Sequence, residues 1–133
     1  MRVYLRFVTA EIDRASRVET GVFSAAYDLY YGEELTAYEK AWLRDIFDWF
    51  DEYLKEPTRF RRYSRSSRRT GRRSAVCWFK PTAREHLARL HEMVFVLEEN
   101  GVPVRHIKSP KVGYVVYEDE HQVVAEPVAD ICF

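Results

Sequence analysis

Residues 36–54 carry the pattern that most restricts how this chain can fold. Thr36 and Glu39 have the spacing of a capping box, in which each side chain satisfies a backbone N–H of the other residue at the start of a helix. Apolar side chains then recur in two adjoining helical stripes, Trp42-Ile46-Trp49-Tyr53 and Leu43-Phe47-Phe50-Leu54. A helix this widely apolar is buried on two sides, or is buried once and presented to a partner.

The polar side of this helix is acidic, and its aromatic side has two interpretations. Carboxylates cover the polar side at Asp45, Asp48, Asp51 and Glu52, which is typical of a solvated face. The aromatic residues are those that protein interfaces favour at their centres, namely Trp42, Trp49, Phe50 and Tyr53. We expect them in the core, because apolar helix faces in small domains are normally buried.

Shorter patterns predict the other elements. Alternation predicts a strand over residues 2–8, then a polar loop over 9–20 and a helix from Gly21 to Tyr31. A second capping box at Thr82–Glu85 begins a helix that Asn100-Gly101 ends. Apolar runs predict strands at 75–79, 102–107, 113–117 and 122–125, the last two forming a hairpin with a charged tip that some other part of the protein covers.

The order of these elements indicates an α+β protein. Strand, helix, helix, long basic loop, strand, helix and three strands predict a mixed sheet of about five strands, with three helices mainly on one face. Residues 74–126 have the order of a right-handed strand-helix-strand unit extended by the hairpin. At 133 residues, with 47% hydrophobic residues, we expect residues 1–133 to form a single domain.

The segment between the second helix and the next strand concentrates the positive charge. Residues 57–80 carry nine basic and no acidic side chains, although the net charge of the whole chain is zero. No apolar period runs through residues 57–73, which predicts a mobile basic loop. Candidate nucleic-acid-binding residues in it are Arg59, Phe60, Arg61, Arg62, Tyr63, Arg65, Arg68, Arg69, Arg72 and Arg73.

Each residue type in this segment suits an anionic partner. Guanidinium groups pair with phosphates, and aromatic rings such as Phe60 and Tyr63 stack on unpaired bases. An acidic protein surface would also satisfy the charge. A third interpretation needs no external partner, since the loop could fold over the acidic helices of its own chain.

Motifs for catalysis or metal binding are not evident. His86 and His91 are five residues apart and point in different directions on a helix, so they cannot share an ion, and we expect each to be exposed or at an edge. Residues 118–121 place carboxylates beside His121 in what is usually a solvated hairpin tip. We expect no metal and no cofactor; a catalytic site, if present, belongs near Glu85 and His86 or near His121.

The two cysteines and the absence of long apolar runs suggest a location. Cys77 and Cys132 do not make a disulfide framework, and Cys77 lies in an apolar run, as a buried cysteine would. No leader peptide and no apolar run of about 20 residues is present. These features predict a soluble cytoplasmic protein that neither enters nor crosses a membrane.

Three stretches, residues 55–60, 78–86 and 113–120, carry a resemblance. They read Lys-Glu-Pro-Thr-Arg-Phe, Trp-Phe-Lys followed by Ala-Arg-Glu-His, and Gly-Tyr-Val-Val-Tyr-Glu-Asp-Glu. Together they resemble a group of small uncharacterised bacterial proteins of similar length. The resemblance implies a bacterial single-domain protein and assigns no activity, ligand or site.

The sequence therefore favours a small accessory or binding protein that engages an anionic partner, nucleic acid first, through its Arg-rich loop. The alternative is a protein–protein interaction module, a regulator or inhibitor, that uses the loop and the aromatic second helix. An enzyme of unknown class is the third hypothesis.

Overall fold

A computed structural model of the protein describes residues 2–14, 16–55 and 75–127. Within these ranges the chain forms a six-stranded sheet and three helices, which confirms the predicted α+β fold. The elements are β1 (Tyr4–Ile12), β2 (Glu19–Gly21), α1 (Val22–Tyr30), α2 (Ala37–Tyr53), β3 (Val76–Phe79), α3 (Arg84–Glu99), β4 (Arg105–Ser109), β5 (Tyr114–Glu118) and β6 (Gln122–Glu126).

Strand β1 organises the sheet. Residues 4–8 of β1 pair with β4 along one edge. The other edge pairs with β3 only at Leu5 and Phe79, and then with β2 from Val8 to Ile12. Strand β6 pairs with the full length of β3, and β5 closes the sheet beside β6. The two short strands β2 and β3 therefore share one edge of β1.

The predicted strand-helix-strand unit is present in a split form. Strands β3 and β4 are both antiparallel to β1, so they run parallel to each other, and α3 connects them. Because β1 lies between them, this parallel pair is never a hydrogen-bonded pair. Neighbouring strands in the described sheet are accordingly antiparallel throughout, where a mixed sheet was expected, and the sheet has six strands instead of about five.

The first hairpin differs from the prediction. The expected loop at 9–20 contains the end of β1 and the whole of β2. Residues 10–12 are exposed, so the alternation that revealed the start of β1 does not continue, and the register shifts between Val8 and Ile12. Pairing with β2, not burial, extends the strand here.

The two predicted capping boxes have different outcomes. In α2 the Glu39 N–H donates to Thr36 Oγ1 and the Thr36 N–H donates to Glu39 Oε1, both at 3.1 Å, as predicted. In α3 the cap is Ala83, without a side-chain cap. The Ala83 N–H is bonded to the carbonyl of Lys80 in a turn, which moves the helix start one residue past the expected Thr82.

Helix α2 is buried on two sides, the first of the two alternatives. Phe47 stacks on Tyr27 of α1 with ring centroids 4.4 Å apart. On the other side, Trp42 Nε1 donates to Glu92 Oε1 of α3 at 2.9 Å. Phe50 is buried as predicted, and the two tryptophans of α2 are half-buried against the same cluster. Its last residue, Tyr53, is 52% exposed, so its assignment to the core was wrong.

The sheet has a buried cluster on each face. The larger cluster contains the buried residues of all three helices together with Phe7 and Phe79. A smaller cluster is formed by Trp78 and Val123 with Val112 and Ala125. Side chains alternate along a strand, which puts Cys77 and Phe79 on the helix side and Trp78 on the other. The helices thus lie mainly on one face, as predicted.

The β5–β6 hairpin is covered only in part. All five residues of β6 are buried, whereas the edge strand β5 is exposed at Tyr114 and Val115 and half-buried at its next two residues, so the expected cover is incomplete at β5. Gly113 precedes β5 at φ +111°, and a Cβ there would lie 2.2 Å from the Glu126 carbonyl oxygen. This close crossing of backbones requires glycine.

Candidate functional site

The ten candidate nucleic-acid-binding residues, from Arg59 to Arg73, lie outside the described residues, and so does the predicted mobile loop at 57–73. The described residues on either side of this segment are Lys55 and Ala75, and both line one cavity. The two described residues that flank the Arg-rich segment in the sequence therefore lie at the same cavity.

The cavity has a volume of about 430 Å³ and lies between the sheet and the first two helices. Strands β3 and β6 form its floor with Cys77, Phe79, Gln122 and Val124, and α1 and α2 cover it. The walls are mainly apolar and aromatic, with Phe7, Val22, Phe23, Tyr27, Phe50 and Leu54 contributing. This size and composition match sites that bind small organic molecules.

Arg6 is a buried cation at one end of this cavity. Its side chain belongs to β1 and lines the cavity, and the residue is only 7% exposed. Nη2 donates to the backbone carbonyl of Glu19 at 2.8 Å. Burial lowers the pKa of Arg6, an effect that the carboxylate of Glu19 opposes. The group nevertheless stays charged at neutral pH, because a guanidinium loses its proton only at very high pH.

No carboxylate within the described residues forms an ion pair with Arg6. The carboxylate of Glu19 pairs with Arg105 instead. Asp13, which also lines the cavity, accepts the Ser16 backbone N–H at 2.9 Å. Both carboxylates favour the charged form of Arg6 through space, but neither forms an ion pair with it.

A satisfied polar cluster around Gln122 also lines the cavity. Its Nε2 donates to the carbonyl of Lys55 at 2.7 Å and to Asp119 Oδ2 at 3.1 Å. The Cys77 thiol donates to Gln122 Oε1 at 3.1 Å. Burial raises the pKa of Cys77 to about 12, although the charge of Arg6 acts in the opposite direction. The thiol is therefore protonated at neutral pH and is not a nucleophile.

A histidine pair lies behind this cluster. His86, expected to be exposed or at an edge, is 4% exposed, and its ring stacks on that of His121 with centroids 4.3 Å apart. The fold thus brings together two residues that the sequence analysis named as separate places to look for catalysis; Glu85 is exposed. His86 Nε2 lies 2.9 Å from the Tyr53 carbonyl, so this nitrogen carries the hydrogen and holds the end of α2.

Beside His121 the surface forms an acidic depression. It has a volume of about 620 Å³ and lies between the end of α2 and the β5–β6 turn. Asp51, Glu52, Asp119 and Glu120 line it. Asp119 has a structural role, because it accepts the backbone N–H groups of His121 and Gln122 and the Tyr117 hydroxyl. Burial by itself would raise the pKa of Asp119, but these bonds and the one from the Gln122 side chain leave it below its ordinary value.

The remaining two histidines lie at another place. His91 of α3 and His106 of β4 are exposed and both contact the ring of Phe7. Across the described parts of the chain, no three His, Cys, Asp or Glu side chains are grouped so that they could hold a metal ion. No helix in the described ranges combines the length and apolar character needed to cross a membrane.

Sequence reasoning missed Arg6 and Gln122. Arg6 alternates with apolar neighbours in β1 and looks like a solvent-facing strand residue. No local signal in the sequence marked it, because its burial depends on the pairing of β1 with β2, β3 and β4. Comparison with protein-family models, with curated proteins and with solved structures finds no match.

Proposed function

We propose that this protein is a small accessory or binding protein that engages nucleic acid through its Arg-rich segment. The observation that carries the proposal is the sequence from Arg59 to Arg73, which contains eight arginines and no acidic residue. Such a run neutralises phosphates with release of counterions and reads no base sequence. Phe60 and Tyr63 add rings that can stack on unpaired bases.

The described groups favour binding over catalysis. The Cys77 thiol is kept protonated by burial, and Asp119 and His86 are engaged in hydrogen bonds that hold turns and helix ends. These groups stabilise the domain that carries the basic segment. The domain itself is acidic next to that segment, at Asp51 and Glu52, which would discourage a polyanion from spreading over the rest of the surface.

Charge replacement tests the proposal. Changing Arg61, Arg62, Arg68 and Arg69 together to Gln should weaken binding to oligonucleotides of any sequence. The slope of log K against log salt should fall by about 0.7–0.9 per lost phosphate contact. Phe60→Ala with Tyr63→Ala should weaken only single-stranded binding, because stacking needs unpaired bases.

A control variant separates the segment from net charge. Lys40, Arg44, Lys108 and Lys111 are exposed basic residues of the described domain. Changing these four to Gln alters the net charge equally and should leave oligonucleotide affinity nearly unchanged. Equal losses in the two variants, or no binding by the unaltered protein at low salt, would contradict the proposal.

A protein–protein module remains the second candidate, and one surface favours it. Tyr38 of α2 is 76% exposed and Phe95 of α3 is 48% exposed, with Trp42 between them. Aromatic residues are enriched at the centres of protein interfaces. If oligonucleotides do not bind, this patch and the basic segment are the surfaces to use as bait for a protein partner.

A further inference from the structure

The cavity presents two positively polarised groups side by side. An ideal Cβ built on Gly21 would lie 3.5 Å from Arg6 Nη2, so the guanidinium lies directly beside the residue that begins α1. Gly21 is the N-cap of that helix, and both residues line the cavity. The N-terminus of a helix carries a partial positive charge, so both groups favour an anion in the space beside them.

The start of α1 has no compensating group of its own. No side chain caps it, and its first turn contains no acidic residue. The backbone N–H groups in the first turn of a helix have no intrahelical partner, and residues 22–24 line the cavity. The cavity is thus bordered by a helix start that no side chain caps. It is also bordered by a buried guanidinium that has no ion pair in the described residues. Either group alone would favour an anion.

The other walls define what the anion is attached to. Four phenylalanines, Phe7, Phe23, Phe50 and Phe79, line the cavity with Leu54 and Val124. Such walls favour an apolar or aromatic body, because burying it removes apolar surface from water on both sides. Asp13 and Asp51 also line the cavity, and so does Lys55, so with Arg6 the charged lining residues balance. This balance disfavours a dianion such as a phosphate monoester more than a monoanion.

We infer that the cavity binds a small organic monoanion, a carboxylate on an apolar or aromatic body, with the carboxylate held between the Arg6 guanidinium and the N-terminus of α1. The planar guanidinium fork matches a carboxylate bidentately. The thiol of Cys77 and the amide of Gln122 also line the cavity, but both are already hydrogen-bonded. The preference for a head group is therefore set by Arg6 and the start of α1.

Three probes with one body and different head groups test the charge preference. They are 3-phenylpropionate, 3-phenylpropan-1-ol and 3-phenylpropylamine, supplemented by straight-chain alkanoates of increasing length. Calorimetry should show the carboxylate binding at least about tenfold more tightly than the alcohol, and the amine more weakly than both. Equal binding of carboxylate and alcohol, or no binding by any carboxylate at millimolar concentration, would overturn the inference.

Arg6→Met keeps an unbranched apolar stem and removes the charged guanidinium. It should weaken the binding of 3-phenylpropionate at least about tenfold and leave the affinity for the alcohol unchanged, so that the head-group preference disappears. Arg44→Met is the matched control, because Arg44 is exposed on α2 and pairs with Asp48. Unchanged carboxylate affinity in Arg6→Met would contradict the proposed role of the guanidinium.

A second variant supplies the anion from within the chain. Gly21 has φ −70° and ψ 158°, a conformation that other residues adopt, and Asp is a favoured N-cap. Gly21→Asp should place a carboxylate between Arg6 and the start of α1, raise Tm by about 2–5 °C and abolish probe binding. Gly21→Asn caps the helix without charge, so it should stabilise less.

Comparing the Tm values of Gly21→Asp and Gly21→Asn tests the inference even if Arg6→Met fails to fold. Gly21→Asp less stable than Gly21→Asn would mean that the space does not attract an anion. The inference is independent of nucleic-acid binding, because neither Arg6 nor Gly21 belongs to the Arg-rich segment and the Gln substitutions in that segment do not change the cavity.

Discussion

Two buried polar side chains face the same cavity, and they are satisfied to different degrees. Gln122 makes three hydrogen bonds, to the Lys55 carbonyl, to Asp119 and from the Cys77 thiol. Arg6 makes one, to the Glu19 carbonyl, although it is charged and has five N–H donors. Both residues are more than nine-tenths buried, at 2% and 7% exposed.

The difference indicates which of these residues stabilises the fold, Gln122, and which can bind a ligand, Arg6. A buried amide with its donors and acceptor engaged stabilises the structure around it, here the end of α2 against β3 and β6. A buried charge with one neutral partner costs free energy in the free protein. Departures of this kind from local optimisation are typical of functional sites.

The largest loss of stability should come from replacing Gln122, whose side-chain hydrogen bonds are satisfied. Gln122→Leu leaves the Lys55 carbonyl and the Cys77 thiol without their partner and removes one bond from Asp119. Each of the three lost hydrogen bonds contributes about 0.5–1.5 kcal/mol net, so the free energy of unfolding should fall by about 1.5–4 kcal/mol. Urea unfolding followed by circular dichroism measures it. Ser24→Leu, on the exposed rim of the cavity, is the control, and a loss below about 1 kcal/mol for Gln122→Leu would show that the cluster is not structural.

A smaller effect is expected at Asp119, and it depends on pH. Its pKa in the folded protein lies below its ordinary value, so its ionised form stabilises the fold above the unfolded pKa of about 3.9. That contribution is lost as the pH falls through the folded pKa. The stability difference between the unaltered protein and Asp119→Asn should therefore shrink as the pH is lowered from about 6 to about 3. Tyr117→Phe removes one of the bonds and should give an intermediate profile, and a difference independent of pH would contradict the assignment.

The sequence predicted what depends on local pattern. The Thr36–Glu39 capping box and the double apolar stripe behind it correctly placed α2. The stripe predicted burial on two sides or burial on one side with the other presented to a partner, and the structure shows the first, against α1 and α3. The start of α3 was displaced because a turn competed with the second capping box. Strand β2 and the end of β1 were missed, because their pairing is not accompanied by alternating burial.

The candidate site depends on long-range pairing, and local pattern does not reveal that. His86 and His121 were identified separately. Their rings stack because β6, which follows His121, pairs with β3, the strand that precedes α3 and His86. Arg6 looked like a polar residue of an alternating strand. Its burial follows from the way β3 and β2 divide one edge of β1. That arrangement pairs Leu5 with Phe79, which is far away in the sequence, and no periodicity records it.

The smallest effect on stability should come from removing the charge of Arg6. Arg6→Met loses the bond to the Glu19 carbonyl, which alone would cost about 1 kcal/mol, but it also relieves the burial of an unpaired guanidinium. The two contributions have opposite signs, so without ligand the free energy of unfolding should change by less than about 1 kcal/mol in either direction. Urea unfolding under the conditions used for Gln122→Leu gives a direct comparison of two equally buried polar residues. If Arg6→Met instead lowers the free energy of unfolding as much as Gln122→Leu, the guanidinium stabilises the fold as the amide does. The contrast between the two residues would then be wrong.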